Sequence, residues 1–113
     1  MDFSSLEEKM KNITQFIKGW IIGDFEPNVL RTKEFEFGVK YHKAGDIEKP
    51  HYHKIGTEYT IIVSGIHIIN GETYRTGDIC IIKPMEKSGY QCAKTGALAI
   101  IKVPSVRGDK YED

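Results

Sequence analysis

Two histidines two residues apart, His51 and His53, stand just before a glutamate, Glu58, in the stretch from Gly45 to Gly65. Imidazole and carboxylate groups are ligands for divalent metals, and three of them on one side of an ion leave other positions open for chemistry. In an extended strand side chains alternate between faces, so His51 and His53 are expected to project from the same side. Glu58 has the other parity and joins them only if the chain turns between. Lys54-Ile55-Gly56-Thr57 provides that turn, with Gly56 free to take a positive φ. Pro50 fixes the backbone just before His51 and narrows the directions its imidazole can take. The spacing therefore predicts a metal centre made by His51, His53 and Glu58, converging from adjacent strands. A polar pocket floor that binds a ligand through hydrogen bonds, without metal, is the other reading of the same residues.

The elements that must position these groups are mostly short strands. G-W-I-I-G-D-F and E-F-E-F-G-V-K-Y read as strands, the second strictly alternating, with Phe35, Phe37, Val39 and Tyr41 on one face. Further runs follow at Tyr59–Val63, Ile66–Ile69, Thr73–Arg75, Ile79–Lys83, Tyr90–Ala93 and Leu98–Val103, separated by glycine-containing turns. Asn70-Gly71 between two such runs is a type I′ hairpin signal. Even turn spacing in a small chain indicates an all-β sandwich or barrel. Before the strands, Leu6, Met10, Ile13 and Ile17 recur at helical spacing, and Ser5 with Glu8 has the form of a capping box. The expected organisation is a helix over residues 1–19 packing on the barrel, one barrel domain over 20–104, and a charged tail over 105–113. That tail is expected to be exposed or to lie on a partner subunit.

Composition narrows the class. A chain of 113 residues fits one domain, and its 16 basic and 16 acidic residues cancel. No basic stretch suggests phosphate neutralisation, so nucleic acid is not an expected partner. No apolar run approaches the roughly 18 residues of a membrane helix, and the N-terminus lacks a signal-peptide layout. A cytoplasmic protein with reduced cysteines is the expectation; Cys80 and Cys92 read as core packing. His42 and His67 read as surface residues, and no lysine or arginine reads as aimed inward.

Gly45, His51, His53, Glu58 and Gly65 together resemble the first sequence motif of the cupin superfamily at every fixed position. G-D-I-C-I-I-K-P, Gly77 to Pro84, looks like the opening half of the second motif. The resemblance covers roughly Phe35 to Val103 and implies a double-stranded β-helix, the cupin jelly-roll barrel. It also implies a mononuclear site for one divalent ion, whether iron, zinc, manganese or nickel. One departure stands out. The third histidine usual in the second motif is missing, and alignment from Gly77 puts Ser88 in its place, where a hydroxyl is a poor ligand.

Parity sketches the pocket one layer further. Thr60 and Ile62 follow Glu58 inward, Tyr90 and Cys92 follow Ser88, and Tyr41 ends the aromatic face of its strand. A barrel mouth with a polar floor and apolar or phenolic walls suits one small oxygenated organic molecule. The resemblance implies a metal-dependent dioxygenase or an isomerase or lyase. The alternative is a non-catalytic binding or sensor protein for a sugar-like small molecule. Which residues are catalytic is left open. Open sheet edges in so small a domain, at the Trp20 strand or the tail with Tyr111, predict a homodimer.

Overall fold

The structure is a computed structural model that describes residues 9–112. Among the described residues nine strands form two antiparallel sheets. The first runs β1-β2-β9-β4-β7, using Trp20–Ile22, Glu36–His42, Gly96–Val103, Thr57–Ile62 and Ile79–Ile82. The second runs β3-β8-β5-β6, using Ile47–His51, Ser88–Lys94, Ile66–Ile69 and Glu72–Arg75. The all-β expectation holds, and eight of the nine strands lie where the periodicity puts them. The exception is β3, whose I-E-K-P-H run has neither alternation nor β-branched density to mark it.

Register explains how the first sheet builds its inner face. Across β2, β9 and β4, Glu36 pairs Lys102 and Lys102 pairs Glu58. The next inward row is Gly38, Ile100 and Thr60, and the row beyond is Lys40, Leu98 and Ile62. Ile62, Leu98 and Ile100 are buried together, with Trp20, Tyr74 and Tyr90 against them. A second buried cluster of Ile69, Cys80 and Ile82 joins through the same two tyrosines. Apolar rows therefore close one end of the barrel, and polar rows are left at the other. Free Cys80 and Cys92 are both buried, as core packing requires.

Two turns have strict backbone needs. Asn70 and Gly71 both have positive φ, 51° and 79°, as the β5–β6 type I′ hairpin demands. Gly65, which closes the opening motif, has φ +82°, and a Cβ there would sit 2.5 Å from the Lys94 carbonyl oxygen. Both its conformation and its closeness to the β8–β9 turn call for glycine.

The ends of the chain differ from expectation. Over the described part of 1–19, Lys9 is helical and a 3₁₀ turn capped by Asn12 follows at Ile13–Gln15. Met10 and Ile17 are exposed, so the i, i+4 pattern does not become a packed helix. Leu6 and the Ser5–Glu8 box lie outside the described residues. Short isolated helices need tertiary packing to persist, and what ties this stretch to β2 is the backbone at its end, where the Gly19 carbonyl accepts from the Val39 N–H at 3.0 Å and the Lys18 carbonyl from the Lys40 amine. The expected exposed tail instead folds back on the barrel. Ser105 and Asp109 are buried, and Tyr111 forms an antiparallel bridge with Tyr52. Among the described residues, no helix is long and apolar enough to cross a membrane.

Candidate functional site

One cavity of about 170 Å³ opens between the two sheets at the polar end of the barrel. Its floor is built by register. His51 closes β3 and pairs directly with Ser88 at the start of β8, so the hydroxyl sits beside the imidazole. Glu58 and Thr60 reach in from β4, two residues apart on one face. Tyr90 follows Ser88 on β8 and lines the wall. All five of these residues were expected at the pocket, and the structure brings them together.

His53 is placed differently. β3 ends at His51, and His53 lies in the following turn, 2% exposed, behind the cavity rather than in its lining. Its ring meets that of His51 edge to face, with centroids 5.3 Å apart. Its Nε2 is a buried atom with no hydrogen-bond partner. Burial, followed by the charges of Lys102 and His51, pushes its pKa down to about 4, so it is neutral at ordinary pH. Burial acts the other way on Glu58 and raises its carboxyl above the usual range, against the pull of Lys102.

These geometries bear on the metal expected for this site. An unpartnered buried imidazole nitrogen beside a second imidazole is what a ligand pair looks like. Yet among the described residues no three His, Cys, Asp or Glu side chains are gathered so as to hold an ion. Lys102 acts electrostatically on both His53 and Glu58. As arranged here, the three residues do not fit one ion together.

Several expectations change. Tyr41 is 72% exposed and points away from the cavity. Ile62 and Cys92 are each 1% exposed and belong to the packed interior, not to the lining. The alternation on β2 is real but its phase is reversed: Lys40 and His42, the polar positions, line the cavity. Gly38 is the reason, because the Trp20 ring packs where a side chain would stand, with an added Cβ only 2.7 Å from the indole. His67 is fully buried, not a surface residue. Its Nε2–H donates to the Ser64 carbonyl at 2.8 Å, leaving Nδ1 to accept from the Tyr90 hydroxyl at 2.6 Å. Burial first, then the neighbouring Cys92, raises the Tyr90 pKa. Tyr90 also packs on His42, with ring centroids 4.6 Å apart.

The largest difference is in charge. Lys18, Lys40, Lys102 and Lys110 line the cavity, against Glu48 and Glu58. Lys102 could have been found from parity alone, since it continues the inward row of Leu98 and Ile100 on β9. Lys110 comes from the folded-back C-terminal segment, which no local pattern announces.

No protein-family model matches the sequence, and a comparison with curated proteins gives no match. Solved structures do match. An RmlC-like cupin from Shewanella frigidimarina superposes with a TM-score of 0.62 at 22% identity, over 69% of this chain and 72% of that one. The chain has the cupin fold. A Klebsiella pneumoniae protein with a double-stranded β-helix domain gives a TM-score of 0.68 at 18% identity, over 91% and 95% of the two chains. DMSP lyase DddQ from Ruegeria pomeroyi gives 0.67 at 14% identity, over 86% of this chain and 53% of its own. Cupin barrels are thus the structural setting of the cavity, and they host enzymes as well as proteins of other kinds.

Proposed function

We propose that this cupin barrel binds a small oxygenated organic acid in the cavity floored by His51, Glu58, Thr60 and Ser88. The observation that carries this reading is the surplus of lysines at a partly dry site. Four lysines line the cavity against two carboxylates, one of which burial holds towards its neutral form, while Lys102 is also paired with Glu36 at 3.5 Å. A carboxylate entering such a cavity exchanges water for charge-assisted contacts, while His51, Ser88 and Thr60 offer hydrogen bonds to hydroxyl or carbonyl oxygens. The volume suits a molecule of a few carbon atoms.

Titration calorimetry with small hydroxy- and oxo-acids, each paired with its neutral amide, tests the reading. Acids should bind, amides should bind at least about tenfold more weakly, and Lys102→Met should weaken the acids by a similar factor. Equal affinity for acids and amides, or no binding across the panel, would overturn it.

A second reading has the side chains of His51, His53 and Glu58 rearrange around one divalent ion, which they do not hold as arranged here; the unpartnered Nε2 of His53 favours it. When bound, such an ion would supply Lewis-acid or oxygen chemistry for isomerase, lyase or dioxygenase turnover. Elemental analysis before and after incubation with iron, zinc, manganese and nickel decides it. Stoichiometric uptake lost in both His51→Ala and His53→Ala supports the site; uptake below about a tenth of an equivalent removes it. We also propose a homodimer, on the apolar outer face of β4 and the edge strand β7.

A further inference from the structure

Lys40 is set apart from the other lysines by its surroundings. It projects from β2 into the cavity, and its ammonium lies 4.4 Å from the centroid of the Trp20 ring. Lys102 approaches the same ring at 4.9 Å. The Lys40 amine donates to the carbonyl oxygen of Lys18, which fixes its direction and leaves a lone pair available when the group is neutral. Among the described residues it makes no ion pair; Glu48 attracts it, while Lys102, Lys18 and Lys110 repel its charge. Burial is the largest influence, and together with those lysines it lowers the pKa to about 8. The Trp20 face and Glu48 favour the charged form but do not reverse the balance. At pH 7.5 about a quarter of such amines are neutral, against about one in a thousand for an ordinary lysine.

We propose that Lys40 is a nucleophilic lysine that condenses with the carbonyl group of a 2-oxo acid, whose carboxylate is held by Lys102 and Lys110. The neutral amine nitrogen attacks the carbonyl carbon, forming a C–N bond while the C=O π pair moves to oxygen and takes up a proton. The C–O bond then breaks as water leaves, the nitrogen lone pair forms C=N, and the nitrogen gives up its second proton. Amine and ketone become imine and water, with no oxidant or reductant consumed. The imine, once protonated, draws electrons from the neighbouring carbon, which suits proton transfer at that carbon. Two features fit this role together: an amine held in one direction inside the cavity, and two further lysines in its lining, Lys110 and Lys102, the latter also paired with Glu36 at 3.5 Å. The inference rests on the organic-acid reading above and narrows it to acids with a reactive carbonyl.

Reductive trapping tests it. The full chain is incubated at pH 7.5 with pyruvate and sodium cyanoborohydride, and the labelled lysines are identified by peptide mass spectrometry over time. In parallel, binding of pyruvate and lactate is measured; lactate is a similar acid that cannot form an imine. Lys40 should be labelled about ten times faster than exposed Lys43 or more, to one equivalent, with excess lactate slowing it. Lys40→Arg should lose the fast label and keep the slow labelling of surface lysines. The comparison of Lys40 with Lys43 in the wild-type chain holds whether or not the variant folds. If both acids bind but Lys40 is labelled no faster than Lys43, the nucleophilic role is overturned and the organic-acid reading stands. If neither acid binds and no lysine is labelled preferentially, both fall.

Discussion

At neutral pH the Lys40 ammonium is partly removed from water and faces the charges of Lys18, Lys102 and Lys110. Its pKa in the folded chain, about 8, lies below the ordinary value of 10.5. Below pH 8 both folded and unfolded chains carry the proton, so the full penalty weakens the fold. Between about pH 8 and 10.5 the folded chain sheds the proton first and the penalty is relieved. Lys40→Met should therefore be more stable than wild type at pH 7 by about 1 kcal/mol, after allowing for solvent screening. That advantage should shrink towards zero by about pH 10.5. Urea titrations at pH 7 and pH 10 check this, and a variant that is weaker at both values would contradict it. Such a residue, unfavourable for folding and placed in a cavity, is what a functional lysine looks like. His51, Glu58, Ser88, Thr60 and Tyr90 were legible as a cluster because strand parity fixes which side chains share a face. Lys40 was not, because β2 carries apolar groups on its odd face and a glycine on its even face. Parity tells which residues go together, and only the packing of Trp20 on Gly38 tells which set goes in.

Among the elements, the C-terminal segment has the most to say about the site. Asp109 accepts hydrogen bonds from the backbone N–H groups of Lys54 at 2.8 Å and Gly56 at 2.8 Å, with Ile55 also donating. These hold the turn that separates His53 from Glu58. Tyr52 and Tyr111 exchange two backbone hydrogen bonds and stack their rings, and Lys54 lies over the Tyr111 ring. Burial alone would raise the Asp109 carboxyl, but the amides of Gly56, Lys54 and Ile55 outweigh it and keep the pKa below the usual range. Its contribution is thus present above the unfolded-state value near 3.9 and is lost as pH falls through the lower folded value. Asp109→Ala leaves the buried Gly56 N–H and two half-buried donors without their partner and should cost about 2 kcal/mol in a denaturant titration at pH 7. That difference should narrow in acid. Gly65→Ala should cost about 2 kcal/mol or more, since both positive φ and the Lys94 carbonyl oppose a side chain. A thermal shift under about 2 °C would contradict that. A turn at 54–56 and the glycine at 65 were legible from glycine placement, although Gly56 does not take the positive φ expected of it. The docking of Asp109 joins residues 53 positions apart and leaves no local pattern to read.

For the whole molecule, the outer surface of the first sheet bears on assembly. Ile79, Ile81, Val63 and Val103 are exposed there, with Tyr59 beside them, and β7 is a sheet edge with one free side. Apolar side chains next to an unpaired edge favour a second copy of the chain across a two-fold axis. Sedimentation at about 100 µM should show a dimer that the Ile79→Lys, Ile81→Lys double variant turns into a monomer. A wild-type monomer at that concentration would remove the proposal. The tail drops out as the pairing element, because Tyr111 already bonds to Tyr52 within the chain. Barrel architecture was legible from turn spacing and from the Gly45–Gly65 motif alone. At the N-terminus helical spacing is a statement about one face, and among the described residues no surface covers Met10 or Ile17, so that part of the pattern does not become packing.

The chain's single tryptophan, Trp20, lies in the cavity wall beneath two lysine amines. Its fluorescence therefore comes from one place, the place where a ligand would enter. Indole emission responds to nearby charge and to water, so occupation of the cavity should change its intensity or wavelength without any label. Unknown ligands can be sought by titrating compound collections into the unmodified protein and reading that one signal.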